Sequence, residues 1–155
     1  GKQMDLIDLN IQALTLMSKL FIEQSENFQN ARILNVSSMA GLLPGPFISV
    51  YAASKAYVFS FSMALASELK SRNIQVSVLC PADVKTNFQR NAGIVTEKLK
   101  LSDAALMVRK VYNDFMNGKR VIIPEKRLRF LKFILMFIPE SVLSDSIYKK
   151  RKKLQ

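Results

Sequence analysis

Apolar side chains recur at spacings of three and four through the first stretch of the chain, at Leu6, Leu9, Ala13, Leu16, Met17 and Leu20. That period predicts a helix over residues 4–28. Leu14, Phe21 and Ile22 fall outside the main stripe, so the helix should be covered on two sides. The period then changes. Arg32-Ile33-Leu34-Asn35-Val36 is a short apolar run that reads as a buried strand, and Gly41, Pro44, Gly45 and Pro46 make residues 37–49 a loop. Residues 50–72 return to helix, rich in alanine from Ala52 to Ala66, and Asn73 ends it. Residues 74–79 form a second strand, stopped by Pro81.

Residues 82–100 are a polar loop with little periodicity. Ser102 is a good N-cap for a helix over residues 103–117, closed by Gly118. Residues 121–123 give a third strand before Pro124. An apolar stretch over residues 128–138 ends at Pro139, and a last basic helix starts near Ser141. Helices and strands thus alternate, which predicts an α/β fold with a parallel sheet and right-handed crossovers.

A chain of 155 residues, 49% apolar, suits one globular domain. With no histidine and one cysteine, Cys80, it can build no histidine triad, no internal disulfide and no ordinary zinc site, so no metal site is expected. The lone thiol fits a reducing, cytoplasmic setting. The start, Gly1-Lys2-Gln3-Met4, has no apolar signal core, and its abrupt run into a helix reads as a cut chain. The net charge is +11, and residues 119–155 hold eleven Lys or Arg against Glu125, Glu140 and Asp145. Three readings of that basic tail stay open: a solvated end, an anionic-membrane contact that would make the protein peripheral to a membrane, and, least favoured, a nucleic-acid contact.

Candidate chemistry centres on Tyr51-Ala52-Ala53-Ser54-Lys55. Residues four apart share a helix face. A free tyrosine, with a pKa of about 10, is a poor proton shuttle at neutral pH, and an ammonium beside it stabilises the phenolate. Such a pair can exchange protons with an alcohol or a ketone. The spacing alone also arises by chance as a surface pair. Its context is more specific, because Ser37 and Ser38 stand at the carboxyl end of the first strand, where ligands bind in open α/β sheets.

Taken together, Asn35-Val36-Ser37-Ser38-Met39-Ala40-Gly41, Tyr51-Ala52-Ala53-Ser54-Lys55-Ala56 and Cys80-Pro81-Ala82-Asp83-Val84-Lys85-Thr86 resemble the classical short-chain dehydrogenases in motif and order. The thirteen-residue gap from Ser38 to Tyr51 is the family's usual one, and Asn10, twenty-eight residues before Ser38, falls where the family has its helix asparagine. The resemblance covers residues 4–123. It implies an NAD(P)-dependent oxidoreductase that interconverts an alcohol and a carbonyl, with NADP slightly favoured over NAD. Tyr51 would be the general acid/base, and Lys55 would stabilise its phenolate and hold the nicotinamide ribose hydroxyls. Ser38 would hydrogen-bond the substrate oxygen, and Asn10 would hold a relay water. Pro81, Val84 and Thr86 would lie against the nicotinamide.

Two departures matter. Ala82 stands where the family has glycine, which would strain the turn if the position needs a positive φ. The glycine-rich pyrophosphate turn is absent, as are about 100 residues that precede the matching helix in the family. The resemblance therefore implies a partial Rossmann-like doubly wound sheet, the last three strands of seven. Residues 1–124 would be the catalytic portion and residues 125–155 a helical tail. One side of the first strand would be an open, apolar edge, leaving the isolated chain marginally stable or aggregation-prone, and inactive. The alternative is a truncated or non-catalytic homologue that only binds or pairs. The long helices imply a homodimer or tetramer of the complete enzyme. The greasy tail implies a lid over the pocket and a small, lipid-like substrate.

Overall fold

The computed structural model describes residues 1–25, 28, 30–82, 104–135 and 137–153. Its sheet has three parallel strands in the order β1 (Arg32–Val36), β2 (Gln75–Leu79), β3 (Val121–Ile122). The register runs from Arg32 opposite Gln75 to Val36 opposite Leu79. The first helix has three continuous segments: α1 (Lys2–Ile7), a π-helical turn (Asp8–Ala13) and α2 (Leu14–Gln24). After it come α3 (Ser49–Glu68), α4 (Ala104–Met116), α5 (Lys126–Leu135) and α6 (Glu140–Lys152). The α/β class and parallel sheet expected from the sequence are therefore present.

Side-chain alternation along β2 decides the layering. Val76 packs with Leu65 and Ala66 of α3 and with Leu69 just after it, and Val78 and Cys80 continue that face toward Phe59 and Met63. Leu79 points the other way, with Ile122 of β3 and Val111 of α4. A strand covered on both faces has little room for exposed polar groups, and Val76 through Cys80 are all buried.

α3 buries mostly small residues. Ala52, Ser54, Val58, Ser62, Leu65 and Ala66 are its buried positions. Buried hydroxyls need partners, and Ser62 has two. Its Oγ donates to Val58 O (2.6 Å) and accepts from Nδ2 of buried Asn35 (2.9 Å), tying strand to helix.

Several boundaries differ from the expected ones. The first helix stops at Gln24 rather than at residue 28, because the Ser25 hydroxyl donates to Ile22 O (2.8 Å) and competes with the next helical turn. The second long helix ends at Glu68, followed by a 3₁₀ turn (Lys70–Arg72) that Asn73 closes at φ 55°. Gly118 closes α4 at φ 76°, as its position suggested. The loop over residues 37–49 contains a 3₁₀ turn (Met39–Leu42). Ala82 is not among the positive-φ residues, which outside glycine are Asn30, Phe47 and Asn73 among the described residues. The condition under which alanine would strain that turn is therefore not met. Ser102 lies outside the described residues.

Candidate active site

At the carboxyl end of β1 the chain turns away from the sheet, held by two backbone bonds to the end of β2 and the residues just after it. Ser37 N donates to Leu79 O (2.8 Å) and Met39 N donates to Pro81 O (3.0 Å). Pro81 is thereby placed beside Ser38. The Ser38 backbone is extended, and its Oγ accepts from Ala40 N (3.1 Å), capping the 3₁₀ turn. That bond uses an oxygen lone pair and leaves the hydroxyl proton to be donated.

Lys55 joins the elements. Its Nζ donates to Val36 O (3.1 Å), the last carbonyl of β1, and to Asn10 Oδ1 (3.3 Å). Its own backbone carbonyl accepts from the buried Ser37 hydroxyl (2.7 Å). Nζ stands 6.0 Å from the centroid of the Tyr51 ring, one helical turn back. Partial burial lowers the Lys55 pKa from its ordinary value of 10.5. An ammonium has three N–H donors. Among the described residues two point at fixed acceptors, which leaves one for a third.

Asn10 sits within the π-helical turn. Such turns are rare and are frequent at functional sites. Both ends of its amide are engaged: Oδ1 accepts from Lys55, and Nδ2 donates to Ser54 Oγ (3.0 Å). Ser54, fully buried, donates its own hydrogen bond to Tyr51 O (2.8 Å). Asn10, Tyr51 and Lys55 are thus one connected cluster, with Ser38 and Pro81 at the adjoining strand ends. Val84 and Thr86 lie outside the described residues.

Ser54 has a positional role that the sequence reading did not single out. A signal was there, since Ser54, Val58 and Ser62 recur every four residues on the buried stripe of α3. A hydroxyl in such a stripe must find a partner.

The tail reaches the loop before α3. Arg151 Nη1 donates to Pro46 O (2.8 Å), and the Tyr148 ring stacks on Phe47 at 5.2 Å and 15°. Phe47 is held at φ 68°, uncommon for a bulky residue. Between this loop, Ala52, Ala53 and Ala56 of α3, and Ser144, Asp145 and Tyr148 of α6 lies a cleft of ≈ 540 Å³. No helix among the described residues is long and apolar enough to cross a membrane.

A family model described as short chain dehydrogenase matches residues 2–95, more than half of the chain. The chain belongs to the short-chain dehydrogenase family. Similar curated members include 17-beta-hydroxysteroid dehydrogenase type 3 of Mus musculus, 40% identical over 86 residues, which are 56% of this chain and 28% of that protein. Another is very-long-chain 3-oxoacyl-CoA reductase of Anas platyrhynchos, 36% identical over 85 residues, 55% of this chain and 27% of that protein. The chain therefore spans little more than a quarter of the length of these two relatives. Among solved structures, a short-chain dehydrogenase from Sphingobium yanoikuyae in complex with NADPH aligns with a TM-score of 0.73 at 27% identity. That alignment covers 86% of this chain and 56% of the other. The three-stranded sheet with its helices is thus part of a Rossmann-like short-chain dehydrogenase fold.

Proposed function

We propose that this chain carries the proton-transfer part of an NAD(P)-dependent oxidoreductase that interconverts an alcohol and a carbonyl. The observation that carries the reading is the Lys55 network. Val36 O and Asn10 Oδ1 hold its ammonium one turn from Tyr51, at the carboxyl end of a parallel strand. Ligands in open α/β sheets bind there.

The residues present fit the nicotinamide-ribose end of such a cofactor. Lys55 has a donor to spare for a ribose hydroxyl, and Pro81 borders the same strand ends. Val84 and Thr86 are assigned to the carboxamide side by family motif alone. The relative bound to NADPH favours NADP over NAD. When bound, the cofactor supplies or accepts the hydride.

The chain's own work is positioning and proton transfer. Ser38 donates to the substrate oxygen and fixes the reacting carbon. Tyr51 gives a proton to that oxygen as a carbonyl is reduced, or takes it as an alcohol is oxidised. The Lys55 cation stabilises the phenolate left behind. Asn10 keeps Lys55 in place and, through Ser54, fixes the first turn of α3 against the helix that precedes β1. A water beside it would complete the relay to solvent.

We assign a lipid-like substrate, on the apolar lining of the cleft and on the names of the two relatives, one a hydroxysteroid dehydrogenase and one a very-long-chain acyl reductase. Residues 125–155 serve as the cover of that cleft, through the contacts of Arg151 and Tyr148. Exposed Leu9, Leu16, Met17 and Leu20 on the first helix suit a homodimer of the complete enzyme.

The test is Tyr51→Phe in the complete enzyme. Turnover should fall about 10²–10⁴-fold, the range for a lost acid/base group. NADPH affinity should stay within about twofold. Turnover retained by the variant would remove Tyr51 from this role, and a complete protein with no turnover on any carbonyl would favour a homologue that only binds.

A further inference from the structure

We propose that α5 and Phe137, just beyond its end, dock this protein on an anionic lipid surface. The helix carries two kinds of side chain on its outward face. Phe130, Phe133 and Ile134 lie at spacings of three and four, and Phe137 extends the row just beyond the helix. All four are exposed, Phe130 at 67% and Phe137 at 75%. Phe133 and Phe137 contact each other edge to face at 5.4 Å, so the row forms a patch.

Lys126, Arg127 and Arg129 occupy the amino-terminal half of the same helix, and no acidic residue occurs from Lys126 to Ile138. The inward side is already used. Leu128 packs against the cluster of Val78, Cys80 and Ile123, and Lys132 lies over the Phe59 ring at 4.8 Å. The outward face therefore does not serve the core.

Charge selects the occupant. A second copy would bring the same cations to the same place on a chain of net charge +11, and the two faces would repel. Nucleic acid would satisfy the cations and stack on the phenylalanines, but it offers nothing to Ile134 and Leu131. An anionic bilayer answers both features: its headgroups meet the lysine and arginines, and its acyl boundary takes the apolar row. At ten residues α5 is suited to lying in the interface, since spanning takes about 20. It follows β3 and lies ahead of α6, whose Tyr148 lines the cleft, so docking would set the cleft beside the lipid from which an apolar substrate comes. The last step rests on the proposed substrate class; the docking itself does not.

Flotation of the full chain with sized vesicles tests the proposal. Vesicles of phosphatidylcholine with 30% phosphatidylserine should carry the protein upward, and pure phosphatidylcholine vesicles should carry much less. Raising the salt to about 0.5 M should release it, because surface electrostatics are screened. Lys126→Gln/Arg127→Gln/Arg129→Gln should cut partitioning about a hundredfold. Phe130→Ser/Phe133→Ser/Phe137→Ser should cut it by at least tenfold, with the far-ultraviolet circular dichroism of both variants unchanged. Equal flotation on neutral and anionic vesicles, triple variants that float like the parent, or displacement from vesicles by equimolar single-stranded RNA would overturn it. A reductase inactive on lipid-like carbonyls would leave these readouts unchanged and would count against the substrate assignment alone.

Discussion

Cys80 sits with no exposed surface between Val78 and Ile123, and burial pushes its thiol up to about 11 from an ordinary 9.0, against smaller downward pulls from Lys132 and the Ser37 hydroxyl. Unfolding frees the thiol to ionise near 9. Between pH 9 and 11 the folded state therefore keeps a proton that the unfolded state has lost. The stabilisation is complete below pH 9 and is lost as pH rises through 11, by roughly 3 kcal/mol across the window. Lys55 acts in the opposite sense. Its lowered pKa penalises the folded, charged state below that pKa, and the penalty lifts as pH rises toward 10.5. Comparing parent with Cys80→Ala cancels the Lys55 contribution. Urea midpoints measured from pH 8 to 11 should converge as pH rises, the variant starting lower because of its cavity. Parallel curves would show that the buried thiol does not titrate as assigned. Below pH 9 the same burial should make Cys80 inert to maleimide until the chain unfolds.

At the scale of elements, Gly41 shows how closely the loop after β1 is fitted to α3. A Cβ at this position would lie 2.5 Å from the Lys55 carbonyl carbon and 2.6 Å from its oxygen. Backbone cannot move aside as a side chain can. Gly41→Ala should push the 3₁₀ turn off the helix and loosen the Ser37 bond to Lys55, with Ser38 carried along. The expected cost is about 1–3 kcal/mol, the usual range for overpacking, read as a lower denaturation midpoint, with a loss of turnover in the complete enzyme. An unchanged midpoint would mean that the turn has room to spare. Much of this element-level design was legible from residue order. β1 coincides with the run of Arg32 to Val36, and both helix-closing residues, Asn73 and Gly118, have the left-handed conformation their chemistry suggested. The π-helical turn was not legible. Asp8 to Ala13 contains no glycine or proline, and a change from i+4 to i+5 bonding leaves the apolar spacing of the helix almost intact. Ser54 escaped notice for another reason: its partners, Asn10 and the Tyr51 carbonyl, meet only when two helices cross. The early stop at Gln24 was hidden because the apolar pattern runs on to Phe28, which still packs on Phe21 at 6.3 Å.

For the whole molecule, the decisive feature is the outer side of β1. The strand pairs with β2, and no strand among the described residues lies on its other side. Bonds from Gln75 N to Ala31 O and from Ser37 N to Leu79 O set the phase of the parallel ladder. Backbone groups alternate in direction along a strand, so Ile33 and Asn35 face β2, and Arg32 and Leu34 face outward. The Leu34 amide is then an edge donor with no strand partner among the described residues, flanked by apolar side chains, a template for another strand. The net charge of +11 works against such pairing at low salt, where repulsion between chains is long-ranged, and a Debye length of about 10 Å at 0.1 M weakens it. The 155-residue chain should accordingly be monomeric when dilute in low salt and associate as salt and concentration rise. Hydrogen exchange resolves the mechanism at two neighbouring amides. In the dilute chain Leu34 should exchange quickly while Asn35 is protected by β2. On association the Leu34 amide should slow by orders of magnitude, with Asn35 little changed. Association that leaves Leu34 fast would place the contact elsewhere, on the exposed leucines of the first helix. Protection of Leu34 equal to that of Asn35 in the dilute chain would show that this edge is already covered.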